Sequence, residues 1–150
     1  PKPAIGEALS GLAFAEIWNG EREAGLAHAT EARELFEQLR RDGVDNPWYA
    51  ITYAAQTYSL LGDHAAARRE IERAVNAYAK DAFVRPQALT VLARVEAQAG
   101  EVDGALAMLE NVLKMPCAYA VTPALLRVEP VWDSIRSDPR FQKLCEEKQP

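Results

Sequence analysis

Histidine and cysteine are almost missing. The chain has two of each, His28 and His64, Cys117 and Cys145. Histidine catalysis needs an imidazole held between a nucleophile and an orienting group. His64 follows Asp63, a residue suited to cap a helix, and is expected at the surface near a helix start. His28 falls in mid-helix and is expected to be partly packed. There is no His-x-x-x-His pair, no Cys-x-x-Cys and no glycine-rich phosphate loop. Asp42-Gly43-Val44-Asp45-Asn46 offers oxygen side chains without the spacing of a calcium loop. Two distant thiols form no disulfide framework and are read as reduced, with a single bridge left open. No catalytic residue, metal ligand or cofactor is therefore assigned, and the chain is expected not to be an enzyme.

Basic excess is missing too. The chain has 17 Lys and Arg against 22 Asp and Glu, a net charge of −5. Arg40-Arg41 and Arg68-Arg69 are short and diluted by acids, so nucleic acid is not an expected partner. No run reaches the roughly 18 apolar residues of a membrane span, and no signal peptide is visible. The longest uncharged stretch, Asn46 to Gly62, carries Asn, Pro, Thr, Gln and Ser. A cytoplasmic location follows as the expectation, with no membrane contact. The chain starts at Pro1 rather than Met, which reads as a fragment or processed product with a possible upstream domain. Val and Ile are thinly spread while Ala abounds, which favours helix over sheet. At 150 residues, 49% hydrophobic and 26% charged, the composition is that of one soluble globular domain.

What is present is helical punctuation. Trp48 to Lys80 contains two helical patterns meeting at Gly62-Asp63, a glycine that can end one helix and an aspartate that can cap the next. With almost no loop, they must fold back as an antiparallel hairpin. Ala54, Ala55, Ala67 and Ala74 permit close approach, and Ile51, Tyr58 and Ile71 fill the ends. Upstream, Ile5, Leu9, Leu12, Ala13 and Ile17 recur at helical spacing until Asn19-Gly20. A long second helix follows from Glu21 to Arg41, with Gly25, Ala29 and Ala32 and then Leu35, Phe36 and Leu39. Asn46-Pro47 can open the central hairpin. Pro86 opens another helix with Leu89, Leu92, Ala93 and Val95, ending at Gly100. Its partner runs from Glu101 to Met115, closed by Pro116.

The breaks Gly20, Gly62 and Gly100 lie 42 and then 38 residues apart. Small and large residues recur in phase around them. The first helices carry Leu9, Leu12-Ala13 and Glu16, then Ile51, Ala54-Ala55 and Tyr58, then Leu89, Leu92-Ala93 and Glu96. The second carry Gly25, Ala29 and Ala32, then Ala67, Ile71 and Ala74, then Ala105, Leu109 and Val112. A lone hairpin cannot cover its outer apolar face, so in-phase pairs imply a stack. Over Ala4 to Met115 the chain resembles the tetratricopeptide repeat (TPR) family, best in the middle pair. Its spacings exceed the roughly 34-residue period of that family. The fold this implies is all-α: a right-handed α-solenoid of about three TPR-like hairpins, at 4–41, 47–80 and 85–115, with a helical cap at 122–147.

The tail, Tyr119 to Pro150, has Thr122-Pro123, Glu129-Pro130 and Asp138-Pro139 as helix openers. Trp132, Ile135, Phe141 and Leu144 are suited to cover the last hairpin. Its Glu-Pro-Val-Trp-Asp and Ser-Asp-Pro-Arg-Phe run is similar to segments that close TPR regions in bacterial multidomain regulators. These include kinases, cyclase-like proteins and winged-helix activators. That similarity implies a bacterial source and a C-terminal position, and carries no activity.

In such a stack the first helices line the concave side. The stripe beside the core is Tyr49, Thr52, Gln56 and Ser59 in the middle pair. It is Glu7, Ser10, Phe14 and Trp18 before it, and Gln87, Thr90, Arg94 and Gln98 after it. Phe14, Trp18, Tyr49, Thr52, Gln56, Gln87, Thr90 and Arg94 are the candidate contacts for a protein or peptide partner. Packing of Phe14 and Trp18 against a neighbouring repeat is the plainer alternative. A self-associating or purely structural stack is the second function class, and a homo-oligomer fits it. With Arg94 nearly alone, the groove lacks the cations that would clamp a C-terminal carboxylate.

Overall fold

The computed structural model describes residues 2–115 and 121–146. Pro1, Pro116, Cys117, Tyr119 and the last expected cap residue, Glu147, lie outside them. The described residues are helical, without a strand. The helices are α1 (Lys2–Trp18), α2 (Arg22–Arg41), a π-helical turn (Ala50–Ala54) continuing as α3 (Ala55–Leu60), and α4 (His64–Ala77). Then come α5 (Val84–Ala99), α6 (Val102–Leu113), α7 (Pro123–Val128), a 3-10 turn (Pro130–Trp132) and α8 (Pro139–Glu146). The chain divides into two compact units, 1–74 and 75–150, with the boundary inside α4 rather than in a connection between expected repeats.

The three glycine breaks share one geometry. Gly20, Gly62 and Gly100 have φ of 89, 80 and 81°, the left-handed region that only glycine enters cheaply. In each, the glycine N–H bonds the carbonyl three residues back: Ile17 at 3.2 Å, Ser59 at 3.0 Å and Ala97 at 3.2 Å. The next N–H reaches five back, to Glu16 (2.8 Å), Tyr58 (2.9 Å) and Glu96 (2.9 Å). These paired bonds satisfy carbonyls that a helix end would leave bare. The following helix opens the same way each time, with Gly25, Ala67 and Ala105 bonding Glu21, Asp63 and Glu101 at 3.0 Å. Four of the in-phase positions are buried in all three pairs: Ala13, Ala55 and Ala93; Gly25, Ala67 and Ala105; Ala29, Ile71 and Leu109; Ala32, Ala74 and Val112. Leu9, Leu12 and Glu16 of the first pair are not, unlike their counterparts in the other two.

In the first unit, α1 and α2 pack through small residues. The inner face of α1 is Gly6, Ser10 and Ala13. Ile5 and Leu12, expected on its apolar face, are instead 51% and 44% exposed. The reason is distance: a Cβ on Gly25 would stand 2.8 Å from the Ala13 carbonyl oxygen and 2.6 Å from Ile17 Cγ1. Only small side chains fit so close an approach.

The π turn interrupts regular α-helix, with the Ala55 N–H bonding the Ala50 carbonyl. Its effect is visible at Phe36, whose ring meets Tyr53 edge-on at 5.9 Å and Tyr58 edge-on at 6.2 Å. Residues five apart point about 140° apart on an α-helix, and the i→i+5 bond of a π turn brings them to one side. Both tyrosines are thus buried against one phenylalanine. Arg40 stacks on that ring at 4.7 Å and bonds Glu70 at 2.6 Å; Arg73 joins Glu70 (3.2 Å) to Asp45 (2.5 Å). The Arg73 guanidinium holds Asp45 below the usual carboxylate range, and the bond to Glu70 pushes Arg40 up.

In the second unit, α5 starts at Val84 rather than at Pro86. The Asp81 carboxylate accepts from the N–H of Phe83 (2.9 Å) and Val84 (2.8 Å), doing the capping work. The tail closes over α5 and α6 with Leu126, Trp132, Ile135, Phe141 and Leu144 in one core with Leu89, Ala93, Leu109 and Val112. Several of its polar side chains bond backbone carbonyls or α6. Arg136 donates to the carbonyls of Leu126 (3.2 Å), Arg127 (2.7 Å) and Glu129 (2.8 Å), covering the end of α7. The Ser134 hydroxyl donates to the Ala97 carbonyl at 2.9 Å, and Arg140 bridges Asp138 (2.8 Å) and Asp103 (2.7 Å).

Candidate functional site

Gly6 and Ser10 of α1 lie against Tyr53 and Thr57. A Cβ on Gly6 would be 2.9 Å from the Tyr53 ring, and the Thr57 hydroxyl donates to Ser10 Oγ at 3.1 Å. Both numberings rise together, so α1 and α3 run in the same direction, side by side. Ser10 and Ser59, placed on the stripe by periodicity, are buried. The outward stripe of α1 is Glu7, Gly11, Phe14 and Trp18, at i, i+4, i+7 and i+11. Phe14 and Trp18 form a tilted ring pair 5.3 Å apart, with Trp18 46% exposed. Gly11 leaves open space above the helix, with nothing within 4 Å of where a Cβ would be. Glu7 is exposed and has no hydrogen-bond or ion-pair partner among the described residues.

From the neighbouring helix, Tyr49 is half-buried with its ring 5.9 Å from that of Tyr53. Thr52 is half-buried and donates its hydroxyl to the Trp48 carbonyl at 3.3 Å; Gln56 is half-buried. Tyr53 is fully buried, and its hydroxyl has no hydrogen-bond partner. Burial pushes it up to about 12, with the charges of Tyr49 and Glu7 adding. The first unit thus carries Phe14, Trp18, Tyr49, Thr52 and Gln56 on two adjacent parallel helices, with Tyr49 and Thr52 toward the start of α1 and the Phe14–Trp18 pair toward its end. Comparison with protein-family models, curated proteins and solved structures finds no match.

Gln87, Thr90 and Arg94 belong to the second unit and are engaged there. Thr90 is buried and donates to the Pro86 carbonyl at 2.9 Å; the Gln87 amide donates to the Phe83 carbonyl at 3.1 Å. Arg94 lies 2.9 and 3.1 Å from the two Glu129 oxygens and 6.0 Å above the Trp132 ring, while Trp132 Nε1 donates to the same carboxylate at 3.0 Å. That arginine ties the tail to α5, which its spacing in the chain did not announce.

His28 is half-buried with Nδ1 2.6 Å from a Glu16 oxygen, and His64 opens α4 at 3.4 Å from the Ser59 hydroxyl. Among the described residues, no group of three or more His, Cys, Asp or Glu gathers as for a metal ion, and no helix is long and apolar enough to cross a membrane. Cys145 is free and buried, its thiol pushed up by that burial. Periodicity missed Gly11 and Tyr53. Gly11 has a signal, a glycine in mid-helix, whereas Tyr53 becomes inward only through the π turn.

Proposed function

We propose that this chain is a TPR-like stack of helix pairs that binds a protein or peptide segment. The binding face is α1 together with the Trp48–Leu60 stretch. Three identical glycine closures with in-phase buried residues support a repeat, and the tail closed over α5 and α6 suits a cap for its end. The observation that carries the binding reading is the Phe14–Trp18 ring pair, 5.3 Å apart with Trp18 open to solvent, on a helix held by glycine and alanine contacts. Partly exposed aromatics on a rigid frame are the usual anchors of recognition. The setting, the C-terminal part of a bacterial cytoplasmic regulator, rests on the resemblance of the tail alone.

The test is selection of random linear peptides on the 150-residue chain. Binders whose affinity falls at least tenfold in Trp18→Ala are expected. Binders indifferent to Trp18→Ala and Phe14→Ala, or none at all, reject the reading. One observation favours self-association instead: Ile5 and Leu12 stand exposed on another side of α1. Light scattering over a concentration series decides, because a mass that stays monomeric dismisses it.

A further inference from the structure

Resting on the reading of this face as a peptide site, we propose that its partner is a basic, arginine-bearing extended segment. The charge around the face points one way. Glu7 stands exposed without a counter-ion among the described residues, and no charged residue occurs from Asn46 to Gly62, which forms the other side. The other charged residues of α1 are engaged elsewhere, Lys2 paired with Asp42 at 3.4 Å and the half-buried Glu16 hydrogen-bonded with His28 Nδ1 at 2.6 Å. Beyond Trp18, the turn into α2 brings Glu21 and Glu23 against the single Arg22, all exposed.

Helix polarity acts in the same sense. Trp18 is the last residue of α1, the end that carries partial negative charge, and no basic residue lies in that last turn. A cation over the Phe14–Trp18 pair therefore meets two ring faces and a negative helix end together. Arginine suits this better than lysine, because its planar guanidinium stacks and is weakly hydrated. Glu7 and Phe14 are seven residues apart, about 10 Å along the helix. An extended peptide covers that in about three residues. One basic side chain pairs with Glu7, and an arginine three to four residues along covers the rings, while Gly11 lets the peptide backbone come close between them.

The test sequences the random linear peptides retained by the full chain and re-measures one representative against variants, with circular dichroism confirming that each variant folds. Enrichment in Arg and Lys is expected, with affinity falling about fivefold in Glu7→Gln, at least tenfold in Trp18→Ala, and falling as salt rises. Peptides that depend on Trp18 but carry no basic excess and ignore Glu7→Gln overturn the inference while leaving a peptide site. A library in which nothing depends on Trp18 overturns both.

Discussion

Replacing Gly25 by alanine separates two effects of opposite sign. Gly25 sits inside α2, where alanine is better than glycine by about 1 kcal/mol of helix propensity. An unconstrained helix would therefore gain stability. The added Cβ, however, meets the Ala13 carbonyl oxygen at 2.8 Å, Ile17 Cγ1 at 2.6 Å and the Ile17 backbone nitrogen at 3.2 Å. Ile17 Cγ1 can swing aside, but the two backbone atoms move only if α1 shifts away from α2. Such overpacking costs about 1–3 kcal/mol, and a gap of half an ångström along an interface forfeits a quarter or more of its dispersion energy. The clash wins, and Gly25→Ala is expected to lose about 1–2 kcal/mol net. At about 2–4 °C per kcal/mol for a chain of this length, the melting temperature falls by roughly 2–8 °C. Gly11→Ala is the control, since its Cβ meets nothing within 4 Å. It should gain about 0.5–1 kcal/mol. Both are read by urea and thermal unfolding followed by far-ultraviolet circular dichroism. If Gly25→Ala is as stable as the parent or more so, α1 and α2 do not touch at these residues.

Tyr53 and Tyr58 are both held up at about 12 by burial. Because the folded protein keeps protons that the unfolded chain gives up near 10, stability should be level below pH 10 and fall as pH rises to 12. Alkaline unfolding of Tyr53→Phe should show a shallower fall, and an identical slope would refute the assignment. Trp132→Ala empties the centre of the second unit's core and should cost about 3–5 kcal/mol in urea unfolding. Arg136→Ala strips donors from three carbonyls at the end of α7, an expected loss of about 1–2 kcal/mol; Arg136→Lys should recover less than half, because an ammonium cannot fork across them.

The parts of this fold that can be read from the chain are those set by local chemistry. Glycines at Gly20, Gly62 and Gly100 end helices because the backbone there must turn left-handed, and Asp63 caps the next helix by accepting from the Ala66 N–H at 3.0 Å. Thr122 does the same for Leu125 at 3.2 Å. Each uses neighbours within a few residues. Apart from the start of α5, which Asp81 moves locally to Val84, the departures involve distant partners. Ile5 and Leu12 face out because α1 must first fit against Gly25, 12 positions from Ala13, and the ring of Tyr53, 47 positions from Gly6. The π turn lets Tyr53 and Tyr58 both meet Phe36, an arrangement that no periodicity in Trp48–Leu60 expresses. Arg94 is drawn inward by Glu129, 35 residues on. For the candidate site the same division holds. Aromatic spacing located Phe14 and Trp18, because i, i+4 on a helix is a local fact. What makes their face distinctive is an uncompensated Glu7 above a glycine gap, and that depends on which charges the rest of the unit has already paired. A sequence lists the charges; only the folded register of α1 on α2, with Lys2 against Asp42 and Glu16 against His28, leaves Glu7 as the outward carboxylate two turns before the rings.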